Sequence, residues 1–185
     1  WSKNRCRIDE VNDMVILETE RLYLREMEQT DYTALCRILQ DKQVMYAYEH
    51  AFDNDEVQEW LDNQIRLDYH YGFGLWAAVL METDEMIGQC GLTMQDCNGK
   101  QVLEIGYLFQ KQYWHKGYAL EAAIACREYA FDTLGAGEVF SIIRDTNTAS
   151  QNVAKRNGMR VTGQLVKHYY HMDMPHTIYS VKKDN

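Results

Sequence analysis

VLEIGYLFQKQYWHKGYALEAAIACREYAFDTL, residues 102–134, is the stretch whose reading decides the fold. Residues 102–109 are rich in Val, Ile, Leu, Tyr and Phe, the composition of a strand. A short polar turn containing Gly117 follows, and then a segment with Leu120, Ala123, Ile124 and Phe131 at helical spacing. Gly135, just past the last periodic residue, reads as the helix stop. A strand running through such a turn into a helix leaves backbone N–H groups unpartnered at the positive end of the helix dipole, so the turn suits an anion. The alternative is an ordinary connection whose amides meet only water, and the neighbouring residues decide between the two.

The segment QYWHKGYALEAA, residues 112–123, resembles the acetyl-CoA pyrophosphate loop of the GNAT N-acetyltransferases, whose pattern is Gln or Arg, two residues, Gly, one residue, then Gly or Ala. Gln112, His115 and Gly117 stand on the three fixed positions. Around them, Tyr113, Trp114, Lys116, Tyr118, Ala119 and Glu121 are most similar to the branch that includes the ribosomal-protein N-terminal acetyltransferases. His115 departs from the pattern by standing where the family usually has a glycine, so it must find an allowed φ and its Cβ narrows the approach of a pyrophosphate. Three more strings follow the family's order. ETERLYLRE (residues 18–26) resembles its first strand, IGQCGL (87–92) its third, and DTNTASQNVAKRNGM (145–159) its second cofactor-side helix.

The resemblance implies an α/β (α+β) GNAT fold, a mixed and mainly antiparallel twisted sheet flanked by helices. It also implies direct transfer of acetyl from acetyl-CoA to an amine, with no covalent enzyme intermediate and no metal. In the family the fourth strand splays from the fifth and offers free backbone groups to the pantetheine arm, which here falls on Tyr107, Leu108 and Phe109. Gln112, His115, Lys116, Gly117, Tyr118 and Ala119 take the pyrophosphate side by the same resemblance, and Asn147 matches the family's CoA-contacting asparagine. Glu104 stands near the point of the fourth strand where several members carry a glutamate that deprotonates the amine; otherwise it is a strand glutamate facing solvent or a cross-strand cation. Many members place a thiolate-protonating tyrosine four residues before the Gly of the second cofactor helix, and Ala154 occupies that position. Ser150 then becomes the proton donor, although Asn147 and Ser150 also read as an N-cap and a first-turn residue.

Outward from this centre, residues 16–26 alternate with Leu22 and Leu24 on one face and Arg21, Tyr23 and Arg25 on the other, as in one half-buried strand. Thr30 or Asp31 caps a helix carrying Leu35, Ile38 and Leu39, and Asn54 or Asp55 caps another carrying Val57, Trp60, Leu61 and Ile65. The link between them holds Tyr46, Tyr48, Glu49, His50, Phe52 and Asp53, and the resembled family walls its acceptor pocket there. Residues 75–80 and 86–94 read as a strand pair, and Asn98-Gly99 as a two-residue hairpin turn. Further strands are expected at 137–143, 159–167 and 178–181, a short helix at 147–157, and Pro175 in the loop before the last strand. His168, Tyr169, Tyr170, His171 and His176 form either a pocket wall or an aromatic surface; their histidines lack a carboxylate at ligand spacing, so no metal is expected.

A chain of 185 residues with 46% hydrophobic residues suits one domain, here 14–185, behind a polar leader or expression remnant at 1–13. Cys6, Cys36, Cys90, Cys97 and Cys126 are scattered without a CxxC pair, as in a protein of reduced thiols. No apolar run approaches the roughly 20 residues that span a bilayer. A cytoplasmic protein, monomer or homodimer, is expected. The net charge of −9 argues against a nucleic-acid partner and for a cationic acceptor. An α-amine of pKa near 8 is about a tenth neutral at pH 7, whereas a lysine needs about 4 kcal/mol more, so a peptide N-terminus or another low-pKa small amine is the easier acceptor. A GNAT-fold protein that binds CoA or an effector with little transfer is the alternative, motivated by His115 and Ala154. The sequence has neither GxGxxG nor GxxxxGK, which disfavours dinucleotide and P-loop enzymes.

Overall fold

The computed structural model describes residues 15–169 and 171–184, and of Tyr169 only the backbone. The leader at 1–13, Cys6 and Tyr170 lie outside the described residues. In chain order the elements are β1 (Val15–Glu18), β2 (Leu22–Arg25), α1 (Tyr32–Leu39), α2 (Asn54–Tyr71), β3 (Leu75–Leu80), β4 (Glu85–Cys97), β5 (Lys100–Phe109), α3 (Tyr118–Asp132), β6 (Glu138–Arg144), α4 (Thr148–Arg156), β7 (Arg160–Tyr169) and β8 (Met172–Lys182). The strands form one sheet in the order β1-β2-β3-β4-β5-β6-β8-β7, in which only β5 and β6 run parallel. This is the mixed, mainly antiparallel sheet of the GNAT fold.

Alternation along the strands divides the core between the two faces of the sheet. On one face Ala122, Ala123 and Cys126 of α3 meet Leu22, Leu24, Trp76, Ile105 and Phe109. On the other, Leu35 and Leu39 of α1 and Val57 and Leu61 of α2 meet Ala77, Val79 and Met86. Because both faces are covered, β3 reads LWAAVL without a polar residue. Asn98 and Gly99 both adopt positive φ, 55° and 79°, as a type I′ hairpin requires between β4 and β5. No helix among the described residues is long and apolar enough to cross a membrane.

Three local expectations are corrected. The single first strand is a hairpin of β1 and β2, because Thr19 turns the chain by bonding Leu22 through both its N–H and its hydroxyl. The α2 cap is Asp53, one residue earlier than expected, in a reciprocal capping box with Glu56. Pro175 lies inside β8, paired with Val166 of β7, and not in a loop. On its other side β6 has ended at Arg144 and Asp145 N–H reaches the Pro175 carbonyl at 3.0 Å, so no ladder partner misses the absent N–H.

Candidate active site

The parallel pairing of β5 with β6 holds at a single step, Glu104 opposite Phe140. A continued ladder would next join Ile105 C=O to Ile142 N–H and Ile142 C=O to Tyr107 N–H. Instead the strands part. Ser141 Oγ donates to Ile105 C=O at 3.0 Å, and Ile142 N–H donates to Glu104 Oε1 at 2.8 Å. Two side chains thus satisfy the two backbone groups that the separation exposes first, as buried polar groups require. Beyond them, Gln110 N–H bonds Ile87 C=O, which fixes the alternation along β5. By that alternation Leu108 turns its backbone to Gln89 of β4, while Tyr107 and Phe109 turn theirs into the gap. Phe109 C=O is taken by Trp114 Nε1 at 2.9 Å; Tyr107 N–H, Tyr107 C=O and Phe109 N–H have no partner among the described residues.

Burial raises the Glu104 carboxyl above its ordinary range, opposed by the Ile142 N–H and by the positive charge of Lys167. With Oε1 held by the backbone, the second oxygen remains for a ligand or water. The strand alternation that sends Ile105, Tyr107 and Phe109 toward α3 sends Glu104 and Leu108 to the α1–α2 face.

Past Phe109 the chain makes a short 3-10 turn at Lys111–Tyr113 and enters α3 through the expected loop. His115 adopts φ +61° and Gly117 φ +86°, so the histidine has taken the left-handed conformation a glycine would supply. The N–H groups of His115, Lys116, Gly117, Tyr118, Ala119 and Leu120 bond no carbonyl among the described residues; the helical ladder begins with Glu121 N–H on Gly117 C=O at 3.0 Å. These amides sit at the positive end of a 15-residue helix, an arrangement that accepts phosphate oxygens. Lys116 is exposed beside them and Gln112 bonds Gln110.

The loop is braced from a place the sequence did not disclose. Arg21, expected on a solvent face, lies in the β1–β2 turn and pairs with Glu121 at 2.7 Å. It also donates to Lys116 C=O at 3.0 Å and stacks over the Tyr118 ring at 4.3 Å. Glu121 further accepts from the Thr19 hydroxyl and Arg21 N–H. Burial would raise its carboxyl, but these bonds and the Arg21 charge hold it below the ordinary range. A charged first-turn Glu whose partner lies about a hundred residues upstream carries no local signal.

At the end of β6, Asn147 caps α4 by accepting Ser150 N–H at 3.1 Å. Tyr107 hydroxyl donates to Ser150 C=O at 2.9 Å, and burial pushes that phenol far up. Ser150 Oγ has no partner among the described residues. Tyr46, on the link between α1 and α2, donates to Asn147 Oδ1 at 2.6 Å, so the link closes over the mouth of the gap.

A cleft of about 1060 Å³ opens on the α1–α2 face and continues into the gap. Its walls include Glu104, Tyr107, Leu108, Asn147 and Ser150, with Tyr48, Glu49, His50 and Phe52 from the link. Of the late candidates, His176 lines it; His168 is exposed and bonds Asp173. The sequence missed Gln89, fully buried in the cleft wall: its Oε1 accepts from Trp60 Nε1 at 3.0 Å and its Nε2 has no partner.

A strand pair opened at one step, a helix start whose free amides suit phosphate on one face and a cleft on the other make up the candidate site. Residues 21–160 match the family model described as acetyltransferase (GNAT) domain, so the chain belongs to the GNAT acetyltransferases. Two curated relatives are similar: uncharacterized protein YkkB of Bacillus subtilis (strain 168), 35% identical over 95% of this chain and 100% of its own, and uncharacterized N-acetyltransferase p20 of Bacillus licheniformis, 34% identical over 74% of this chain and 78% of its own. Among solved structures, RimL, a ribosomal L7/L12 alpha-N-protein acetyltransferase in complex with coenzyme A, shares the fold with a TM-score of 0.75 at 16% identity over 91% of this chain and 97% of its own.

Proposed function

We propose that the protein moves the acetyl group of acetyl-CoA directly to a primary amine, a peptide or protein N-terminal α-amine or a small amine. The observation that carries this reading is the opened β5–β6 step, where the unpaired Tyr107 amide meets a cleft that also holds Glu104. The residues fit the cosubstrate. The free amides of residues 115–120 suit its pyrophosphate, and Tyr107 N–H, Tyr107 C=O and Phe109 N–H suit an amide-bearing arm laid along β5 as an added strand edge. In this reading the Leu108 side chain contributes to the wall, and Asn147 and Ser150 close the far side.

Acetyl-CoA, when bound, supplies an acetyl thioester. Glu104 accepts a proton from the attacking amine, directly or through water; its raised pKa brings it toward the operating pH. Tyr107 N–H donates to the carbonyl oxygen as charge grows there. As the N–C bond forms and the C–S bond breaks, the Ser150 hydroxyl gives the departing sulfur a proton and regains one from water, while Glu104 returns the amine's proton to solvent. The alternative of a CoA-binding protein with little transfer loses one of its motives, because His115 already holds the glycine-like φ.

Calorimetry with acetyl-CoA on the native chain and on Gly117→Trp, followed by free-CoA release with a panel of amines, tests the reading. Micromolar binding that Gly117→Trp abolishes, together with amine-dependent release, is expected. A side chain at Gly117 meets Arg21 Nη2 at 3.3 Å from its Cβ and a φ of +86°. Binding without release from any amine would leave the binding-protein reading, and absence of binding would remove both.

A further inference from the structure

We infer that the amine acceptor also carries a carboxylate, bound by Arg144 and Lys167 at the β6–β8–β7 end of the cleft; this rests on the transferase reading above. The register places the groups. Arg144 is opposite His176, His176 opposite Leu165, and Lys167 opposite Met174. Residues directly opposite one another, and those two apart on a strand, share a face, so Arg144, His176 and Lys167 project together. All three line the cleft, on the face that carries Glu104.

In a chain of net charge −9, this corner gathers two cations. Neither Arg144 nor Lys167 forms an ion pair with a carboxylate among the described residues. Arg144 has only a long bond from Nη1 to Ala47 C=O, 3.3 Å, and its Nε is buried without a partner. A buried, unsatisfied N–H on a permanent cation is costly, and two oxygens in the guanidinium plane satisfy it best. His176 brings no negative charge to them: its Nδ1 donates to Met174 C=O at 2.7 Å, and Nε2 is left as a neutral acceptor. Glu104 feels the Lys167 charge but forms no ion pair with it; its Oε1 is held by Ile142 N–H.

The α2 side of the cleft has the other sign, with Glu56, Glu59 and Asp62; Glu49 lies on the link two residues past Ala47, and its buried Oε1 has no hydrogen-bond partner among the described residues. A cleft negative at one end and positive at the other orients a molecule that is an amine at one end and a carboxylate at the other. Two sources supply that chemistry: the carboxylate of a free amino acid, or an acidic side chain following a peptide's N-terminal residue.

Product-like acetamides test this without turnover. Calorimetry on the full chain, with and without CoA, compares N-acetylglycine with N-acetylglycinamide, and N-acetyl-alanyl-aspartyl amide with its asparaginyl counterpart. In at least one pair the acid is expected to bind about tenfold more tightly than its neutral partner, as a charge-assisted pair warrants. That difference should close in Arg144→Gln and shrink in Lys167→Gln. Preference within the first pair assigns the carboxylate to an amino acid, within the second to a peptide. Equal affinity of acid and neutral ligand in both pairs, or a preference that survives both substitutions, overturns the inference. Failure of the transferase reading is separate and appears as no free-CoA release from any amine.

Discussion

His115 holds a φ of +61°, which costs a residue with a Cβ roughly 1 kcal/mol relative to the right-handed region. His115→Gly removes that cost but adds roughly the same chain entropy to the unfolded state, so stability should change by less than about 1 kcal/mol. Acetyl-CoA should bind the variant at least as tightly by calorimetry, since no side chain then narrows the loop; weaker binding would mean that the imidazole itself holds the cosubstrate. Glu104 behaves differently. Its folded pKa lies above the ordinary 4.5, so ionising it opposes folding, by an amount absent below that value and complete above the raised one. Glu104→Gln keeps an oxygen for Ile142 N–H and removes the charge. At pH 7 the variant should melt no lower than the native protein while its kcat falls, with a larger deficit below pH 8 than above it. A variant with an unchanged pH profile would take Glu104 out of the chemistry. The family resemblance singled out Glu104 by where it falls on the fourth strand; that its carboxylate also fills a vacated ladder bond depends on β6, thirty-odd residues away, and has no trace in the local pattern.

At the scale of elements, the β1–β2 hairpin is the brace of the α3 entry. Glu121→Ala leaves Arg21 without its ion-pair partner, a partly exposed pair worth at most about 1 kcal/mol, and also takes the acceptor from the Thr19 hydroxyl and Arg21 N–H. The effect on acetyl-CoA affinity should exceed the effect on the melting temperature, because Arg21 also holds Lys116 C=O. Because the Glu121 pKa is lowered, its contribution is present above the ordinary 4.5 and is lost as pH falls through the lowered value. Acid should therefore loosen the loop below about pH 4.5, visible as weakened binding in a calorimetric pH series. The helix and its loop were legible because Leu120, Ala123, Ile124 and Gly117 fix periodicity and turn locally. The hairpin was not: residues 19–21 are Thr, Glu and Arg, without glycine, proline or asparagine, and the turn is held by Glu121. Ser141 was invisible for the same reason, a single hydroxyl answering a carbonyl on another strand. Ser141→Ala should cost about 1–3 kcal/mol in urea unfolding, the expense of leaving buried Ile105 C=O unsatisfied.

Across the whole molecule one sheet separates two cores, with Trp76 at 0% exposure on the α3 side and Trp60 packed on the α2 side. Since β3 and β4 contribute to both cores, neither can melt alone. Unfolding followed by tryptophan fluorescence and by far-UV circular dichroism should give one coincident transition. Acetyl-CoA at a hundred times its Kd should stabilise the protein by about 2.7 kcal/mol. Two separated transitions would contradict the single unit expected from residues 14–185. The type I′ turn and the helices were readable because their signals are short-range. The extent of β8 through Pro175 was not, since it depends on where β6 stops. The gap between β5 and β6 also has a kinetic signature. Amides in the middle of an eight-stranded sheet ordinarily resist deuterium, yet Tyr107 N–H has no acceptor while its neighbour Leu108 is turned toward Gln89. In the free protein, adjacent residues of one central strand should thus exchange at rates typical of a loop and of a core, and filling the site should bring the fast one down to the slow.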